Sequence, residues 1–229
     1  MKTYLVATTK PWNAAAFAEI TPTLPGQWHL ITDPAELTVE RVHELAPRYI
    51  FFPHWSWRVP AEILAAAECV CFHMTDVPYG RGGTPLQNLI VRGHKETVLT
   101  ALRMVEEMDA GPVYAKLPLS LEGTAGEIYG RGARLAYQLM ERLVSDEPTP
   151  VEQTGEITLF SRRKPQDSEL PEDGDAQAIY DHIRMLDADT YPRAFLERGG
   201  LRLEFSDAQL VDGRVVARVE IAPKEPDHG

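Results

Sequence analysis

Cysteine is nearly absent: Cys69 and Cys71 are the only two in 229 residues. Two apart on an extended segment, they point to the same face and are poorly placed to bridge each other, so no disulfide framework is expected. Long apolar runs are missing as well. None approaches the roughly 18 to 20 residues that span a bilayer, and the N-terminus lacks the basic flank, apolar stretch and small-residue cleavage site of a signal peptide. No membrane association is expected, and the cytoplasm is the expected location. Positive charge is outweighed, with 23 Lys and Arg against 34 Asp and Glu for a net charge of −11. That balance argues against a general binder of phosphate backbones or anionic membranes, so no nucleic-acid partner is expected. No internal repeat is evident.

What is present is the balance of a globular protein, 44% apolar and 25% charged. The length allows one sizeable α/β domain with a small appendage and is too short for two full catalytic domains. Apolar runs of four to six residues alternate with helical segments. Thr3 to Thr8, Trp28 to Ile31, Tyr49 to Phe52 and Cys69 to His73 read as strands, and Asn13 to Ile20, Thr38 to Ala46 and Ala61 to Ala67 as helices. This alternation implies βαβ units and a mostly parallel, Rossmann-like sheet.

Thr84-Pro85 has the form of an N-cap followed by a first-turn proline, opening a helix over Leu86 to Val91. Thr97 to Val105 and Val113 to Leu119 are two further strands. Thr124-Ala125-Gly126-Glu127 has capping-box spacing and starts the longest helix, to about Leu143, with Ile128, Leu135, Leu139 and Leu143 on one face. Ser145 to Glu156 and Ser161 to Asp175 read as surface connections. Beyond them lie a helix over Ala176 to Leu186 and strands over Leu201 to Phe205 and Arg214 to Ile221, around a Val211-Asp212-Gly213 turn. The expected architecture is a main α/β domain over residues 1–150, then a linker and small α+β subdomain over 151–229, with the last few residues frayed.

In an open parallel sheet, ligands bind outside the carboxyl ends of the strands. His73 stands at such an end, where an imidazole can take or give a proton near neutrality, and Asp109 is its natural carboxylate partner. The loop from Pro78 to Gly83 places three glycines around Arg81. It offers close backbone approach and a guanidinium for a carboxylate or phosphate, or else it is a tight turn with Arg81 solvated. A zinc site from Cys69, Cys71, His54 and His73 is disfavoured, because structural sites usually space their cysteines by two to four residues, and no metal is expected. Cys71 is either a nucleophile or a small core residue. The basic stretch from Ser161 to Lys164 reads as a solvated linker in preference to a diphosphate site, and His29, His43, His94 and His182 carry no assigned role.

Two segments together resemble the formyltransferases that use N10-formyltetrahydrofolate. The family's Asn-x-His-x-Ser-Leu-Leu-Pro-x-x-x-Gly matches Cys71 to Gly82, and its Asp-x-Gly-Pro-[IV] matches Asp109-Ala110-Gly111-Pro112-Val113. The resemblance implies transfer of a formyl group to a primary amine, with tetrahydrofolate leaving through N10. It implies that His73 stabilises the oxyanion or handles the amine proton, with Asp109 orienting His73 or a water that relays protons. It further implies that Ser56, Trp57 and Arg58 meet the pterin through their backbone, that Met108 and Asp109 form the opposite wall, and that Thr75, Arg81 and Gln87 lie toward the acceptor. Two tryptophans anchoring a core explain the composition around Ser56 equally well. The departure is Cys71, where the family pattern has asparagine. A thiol is a weaker donor than an amide, and loss of one oxyanion donor typically costs about 10²–10³ in rate.

The segment from Ile179 to Phe195 is similar to the one that follows the catalytic domain in sugar N-formyltransferases, except that Arg193 replaces a glycine. The expected acceptor is an amino sugar, foremost a nucleotide-linked one, with an amino acid or siderophore amine next. A formyltetrahydrofolate hydrolase and a binding relative without catalysis remain the rivals, and a homodimer stays open.

Overall fold

The computed structural model describes residues 1–189 and 191–224. In chain order the elements are β1 (Thr3–Ala7), α1 (Pro11–Ile20), β2 (Gln27–Ile31), α2 (Val39–Leu45), β3 (Tyr49–Pro53), α3 (Ala61–Ala66), β4 (Glu68–His73), β5 (Arg81–Gly82), α4 (Pro85–Val91), β6 (Glu96–Arg103), β7 (Val113–Ser120), α5 (Ala125–Asp146), β8 (Leu159–Phe160), α6 (Ala176–Arg184), β9 (Ala194–Arg198), β10 (Leu201–Val211) and β11 (Arg214–Pro223). They fall into two compact units. The first comprises Met1–Pro85, Glu96–Leu119 and Tyr129–Phe160; the second comprises Leu86–Lys95, Ser120–Ile128 and the chain from Ser161 onward.

The first unit is built on a six-stranded sheet of order β2-β1-β3-β4-β6-β7. The β1–β2, β1–β3 and β3–β4 pairs are parallel, and β4–β6 is antiparallel. The expected α/β fold with a mostly parallel sheet is what forms. Its central strands are apolar along their whole length because both faces are covered: β3 reads Tyr-Ile-Phe-Phe-Pro and is buried throughout. One face gathers Leu5, Ile31, Val42, Ile50, Phe52, Ile63 and Cys69 into a core, against which Cys71 packs. Each large aliphatic side chain so buried contributes roughly 1.5–3 kcal/mol of transfer free energy. Side chains alternate along a strand, so Cys69, Cys71 and His73 share that face and Val70 and Phe72 take the other.

The second unit carries a three-stranded antiparallel sheet of order β11-β10-β9, with α6 packed across β10 and β11. This is the α+β appendage, and its hairpin turns through Asp212 (φ 48) and Gly213 (φ 71) as the Asp-Gly pair requires. Strand β9 was not foreseen as a strand, and β10 runs on to Val211 past an irregularity between Ser206 and Gln209. The stretch from Ser161 to Asp175 is more than a surface connection. Ser168 is buried, and Leu170 N–H donates to the Phe195 carbonyl at 2.7 Å, so this segment closes the outer side of β9.

Most elements lie within a residue or two of their expected bounds. The strand from Thr97 stops at Arg103, and α5 continues to Asp146. Thr84 has φ 45, which is not the extended backbone of an ordinary N-cap. No helix among the described residues is long and apolar enough to cross a membrane. The expected fraying of the last residues lies outside the described residues.

Candidate active site

His73 ends β4 at the carboxyl edge of the parallel strands and is nearly enclosed. Its Nε2 lies 2.8 Å from the carbonyl of Gly80, and its Nδ1 lies 3.6 Å from Asp109 Oδ2. A carbonyl can only accept, so Nε2 carries the proton in the neutral ring and Nδ1 is the free acceptor. Asp109 stands in a turn six residues beyond β6, with φ 54, a left-handed conformation that aspartate tolerates better than most residues. Its Oδ2 accepts the N–H of Gly82 at 2.9 Å.

Two glycines allow this approach. Gly82 has φ +107, and a Cβ there would stand 2.5 Å from the Phe160 carbonyl oxygen. A Cβ on Gly111 would stand 1.8 Å from the Arg103 carbonyl oxygen, so the Asp-x-Gly-Pro segment can fold back along β6 only with glycine at that position.

Thr75 is fully buried; its hydroxyl donates to the Gly80 carbonyl at 3.3 Å and its own carbonyl accepts from Thr100 Oγ1 at 2.7 Å. Arg81 is also buried, and the solvated reading does not apply to it. Its Nε and one terminal nitrogen donate to Gln153 Oε1 at 3.1 and 2.9 Å, and the other terminal nitrogen reaches Glu107 at 3.4 Å. Gln153 Nε2 in turn donates to the carbonyls of Asp109 and Gly111, both at 2.8 Å. Gln87 belongs to the second unit, where its amide donates to the Met185 carbonyl at 2.9 Å.

Cys71 lies on the His73 face. Burial pushes its thiol well above the usual range, and the nearby Asp109 charge adds to the effect, so it stays protonated. Burial likewise raises Cys69 to about 12. Both are free. No group of three or more His, Cys, Asp or Glu side chains able to hold a metal ion occurs among the described residues.

The loop after β3 exposes Ser56, Trp57 and Arg58, and Arg58 pairs with Glu106 at 3.8 Å. Trp57 and Met108 are 49% and 71% exposed, so each loop presents a large apolar side chain to solvent. Trp55 adds a buried indole N–H with no partner among the described residues. Exposed apolar surface of this kind suits stacking on a flat heteroaromatic group.

A separate cavity of about 30 Å³ lies on the Phe72 face, lined in part by Trp12, Asn13, His54, Tyr129 and Gly132. Trp12 stacks on Tyr129 at 5.3 Å, and His54 meets Tyr129 edge-on at 4.7 Å. His54 is therefore a pocket-wall residue. Burial, and then the Lys10 charge, lowers its pKa to about 4.

The structure brings His73, Asp109 and the Arg81 loop together, as the sequence suggested. The sequence reading missed Gln153 and the Gly80 carbonyl. Gln153 lies in Pro150-Val151-Glu152-Gln153-Thr154-Gly155, a composition that reads as solvated connection, and a backbone carbonyl leaves no mark in sequence.

The family model for the methionyl-tRNA formyltransferase C-terminal domain matches residues 165–222. A methionyl-tRNA formyltransferase of Moorella thermoacetica is 31% identical over 162 residues, which are 68% of this chain and 51% of the relative. The chain spans about half the length of the curated relatives it matches. A solved sugar N-formyltransferase from Shewanella shares the fold, with a TM-score of 0.65 at 16% identity over 99% of this chain and 100% of that one. A solved methionyl-tRNA formyltransferase from Clostridium thermocellum superposes with a TM-score of 0.95 at 44% identity, over 98% of this chain and 100% of that one. Likeness of that degree over the full length of a solved relative establishes that the chain belongs to the formyltransferase family.

Proposed function

We propose that this protein transfers a formyl group from N10-formyltetrahydrofolate to a primary amine, and that the acceptor is a small molecule, foremost a nucleotide-linked amino sugar. The observation that carries the reading is the facing pair of acceptors, His73 Nδ1 and Asp109 Oδ2, 3.6 Å apart. Neither is compensated by the other until a donor enters between them. An amine nitrogen about 2.9 Å from each would supply two N–H donors at once. His73 then accepts the proton that the amine loses on attack, Asp109 stabilises the imidazolium that results, and the proton passes on to N10 as the formyl C–N10 bond breaks and tetrahydrofolate leaves. The donor supplies an activated formyl carbon, and the 56–58 and 106–108 loops are the walls proposed to hold its ring.

The small-acceptor reading draws on the charge of the second unit, whose residues 165–222 nonetheless match the methionyl-tRNA formyltransferase C-terminal domain. From Ser161 to Lys224, thirteen acidic residues outnumber ten basic ones. Arg184, Arg193, Arg202, Arg218 and Lys224 are each paired with a carboxylate, including Asp181, Asp187, Glu197 and Glu220, which leaves little net positive surface for an RNA backbone. The names of the relatives at 31% and 44% identity favour the second reading, the amine of methionyl-tRNA. Self-association belongs to the same proposal, supported by exposed Val216, Val219 and Ile221 on the outermost strand β11.

The test is incubation with N10-formyltetrahydrofolate and a panel of nucleotide-linked amino sugars, amino acids and methionyl-tRNA, following tetrahydrofolate release and product mass. We expect a formylated amino sugar, with His73→Ala and Asp109→Asn each lowering kcat/KM by about 10²–10⁴. Full activity in both variants overturns the site. Product on methionyl-tRNA alone replaces the acceptor, and formate release without any amine means hydrolysis.

A further inference from the structure

We propose that Gln153 is a positioning residue that sets the Asp109 turn against His73; the proposal rests on the assignment of His73 and Asp109 to the reaction. A glutamine amide has two N–H donors and one oxygen with two lone pairs. Here all four are used: the donors go to the carbonyls of Asp109 and Gly111, and the oxygen takes both bonds from Arg81. The amide thus joins three pieces of chain distant in sequence: the Gly80–Gly82 loop that holds His73 Nε2 and Asp109 Oδ2, the Asp109–Gly111 turn, and the segment after α5. Asp109 is held at both ends, its carboxylate by Gly82 N–H and its carbonyl by Gln153. The Gln153 bond, with the Ala110 N–H to the Glu107 carbonyl at 3.4 Å, fixes the backbone that sits at φ 54. Without it, the Asp109 carbonyl loses its partner, and only a long turn bond supports a backbone conformation that an L residue rarely adopts unaided.

No conservative replacement repeats this. Glutamate retains an acceptor for Arg81 but has no donor for the two carbonyls, and its charge would face them. Asparagine is one methylene too short to span the same partners. Alanine leaves the buried Arg81 guanidinium without its main acceptor, so that variant is the one liable to misfold. Gln153→Glu therefore separates the two roles, since it keeps the Arg81 pair and releases the turn.

The experiment compares wild type, Gln153→Glu and Gln153→Ala by thermal melting, by steady-state kinetics across pH, and by ¹⁵N NMR of the His73 imidazole. For Gln153→Glu we expect a melting temperature close to wild type, a kcat about 10–100-fold lower with the KM for the formyl donor changed less than about threefold, a displaced acid limb of the pH profile, and shifted His73 ring resonances. The NMR readout needs no turnover, so it judges the positioning role even where no amine is formylated, an outcome that would sink the functional assignment instead. A Gln153→Glu protein with wild-type kcat, pH profile and His73 resonances overturns the inference, whether or not its melting temperature falls.

Discussion

At the scale of single residues, His54 shows how burial turns an ordinary side chain into a pH sensor of stability. Its ring is ordinarily half-protonated at 6.5, and in the folded chain only at about 4. Between those values the unfolded chain binds a proton that the folded chain refuses, so stability falls as pH drops through about 6.5 toward 4 and is insensitive to this group only well above 6.5. From pH 7 to pH 5 the loss attributable to His54 is about 2 kcal/mol. Urea titrations at the two pH values measure it, and His54→Gln should remove that share of the loss. The same scale shows what a sequence can reveal of a site. His73 and Asp109 were legible because each sits in a short run with restricted alternatives: a strand end before a glycine loop, and a turn whose glycine admits no Cβ. Gln153 was not, because its task is set by partners 44 and 42 residues earlier, and nothing in its own neighbourhood announces them.

At the scale of elements, the clearest signal was the start of α5. Thr124 Oγ1 accepts the Glu127 N–H at 3.3 Å, and Glu127 Oε2 accepts the Thr124 N–H at 2.8 Å, which is the reciprocal box expected from the spacing. Thr124→Ala should cost about 1 kcal/mol, read as a lower midpoint in urea with unchanged slope. The parallel strands β1, β3 and β4 were legible because strands covered on both faces become continuous apolar runs. The reversal at β6 was not, since alternation over Thr97 to Val105 reports half-burial and says nothing of direction. Strand β9 was hidden for a related reason: Ala194-Phe195-Leu196-Glu197-Arg198 is five residues with no periodic pattern, stabilised as a strand by pairing with β10.

At the scale of the whole molecule, net charge of −11 makes ionic strength a discriminator between acceptors. With a small amine, kcat/KM should change less than about threefold between 50 and 200 mM salt, whereas an acceptor held by several phosphate contacts would lose orders of magnitude over that range. A steep loss measured with the preferred acceptor would point to RNA. The amide bridge from Gln153 also fixes an order of events during synthesis. Every strand of the six-stranded sheet is complete by Ser120, so the sheet can begin to form before Gln153, which holds the Asp109 turn, has emerged from the ribosome. A chain that stops short of Gln153 would carry both His73 and Asp109 yet lack the means to hold them in register, so chemical competence in this protein is acquired late, after most of its core has already been paid out by the ribosome.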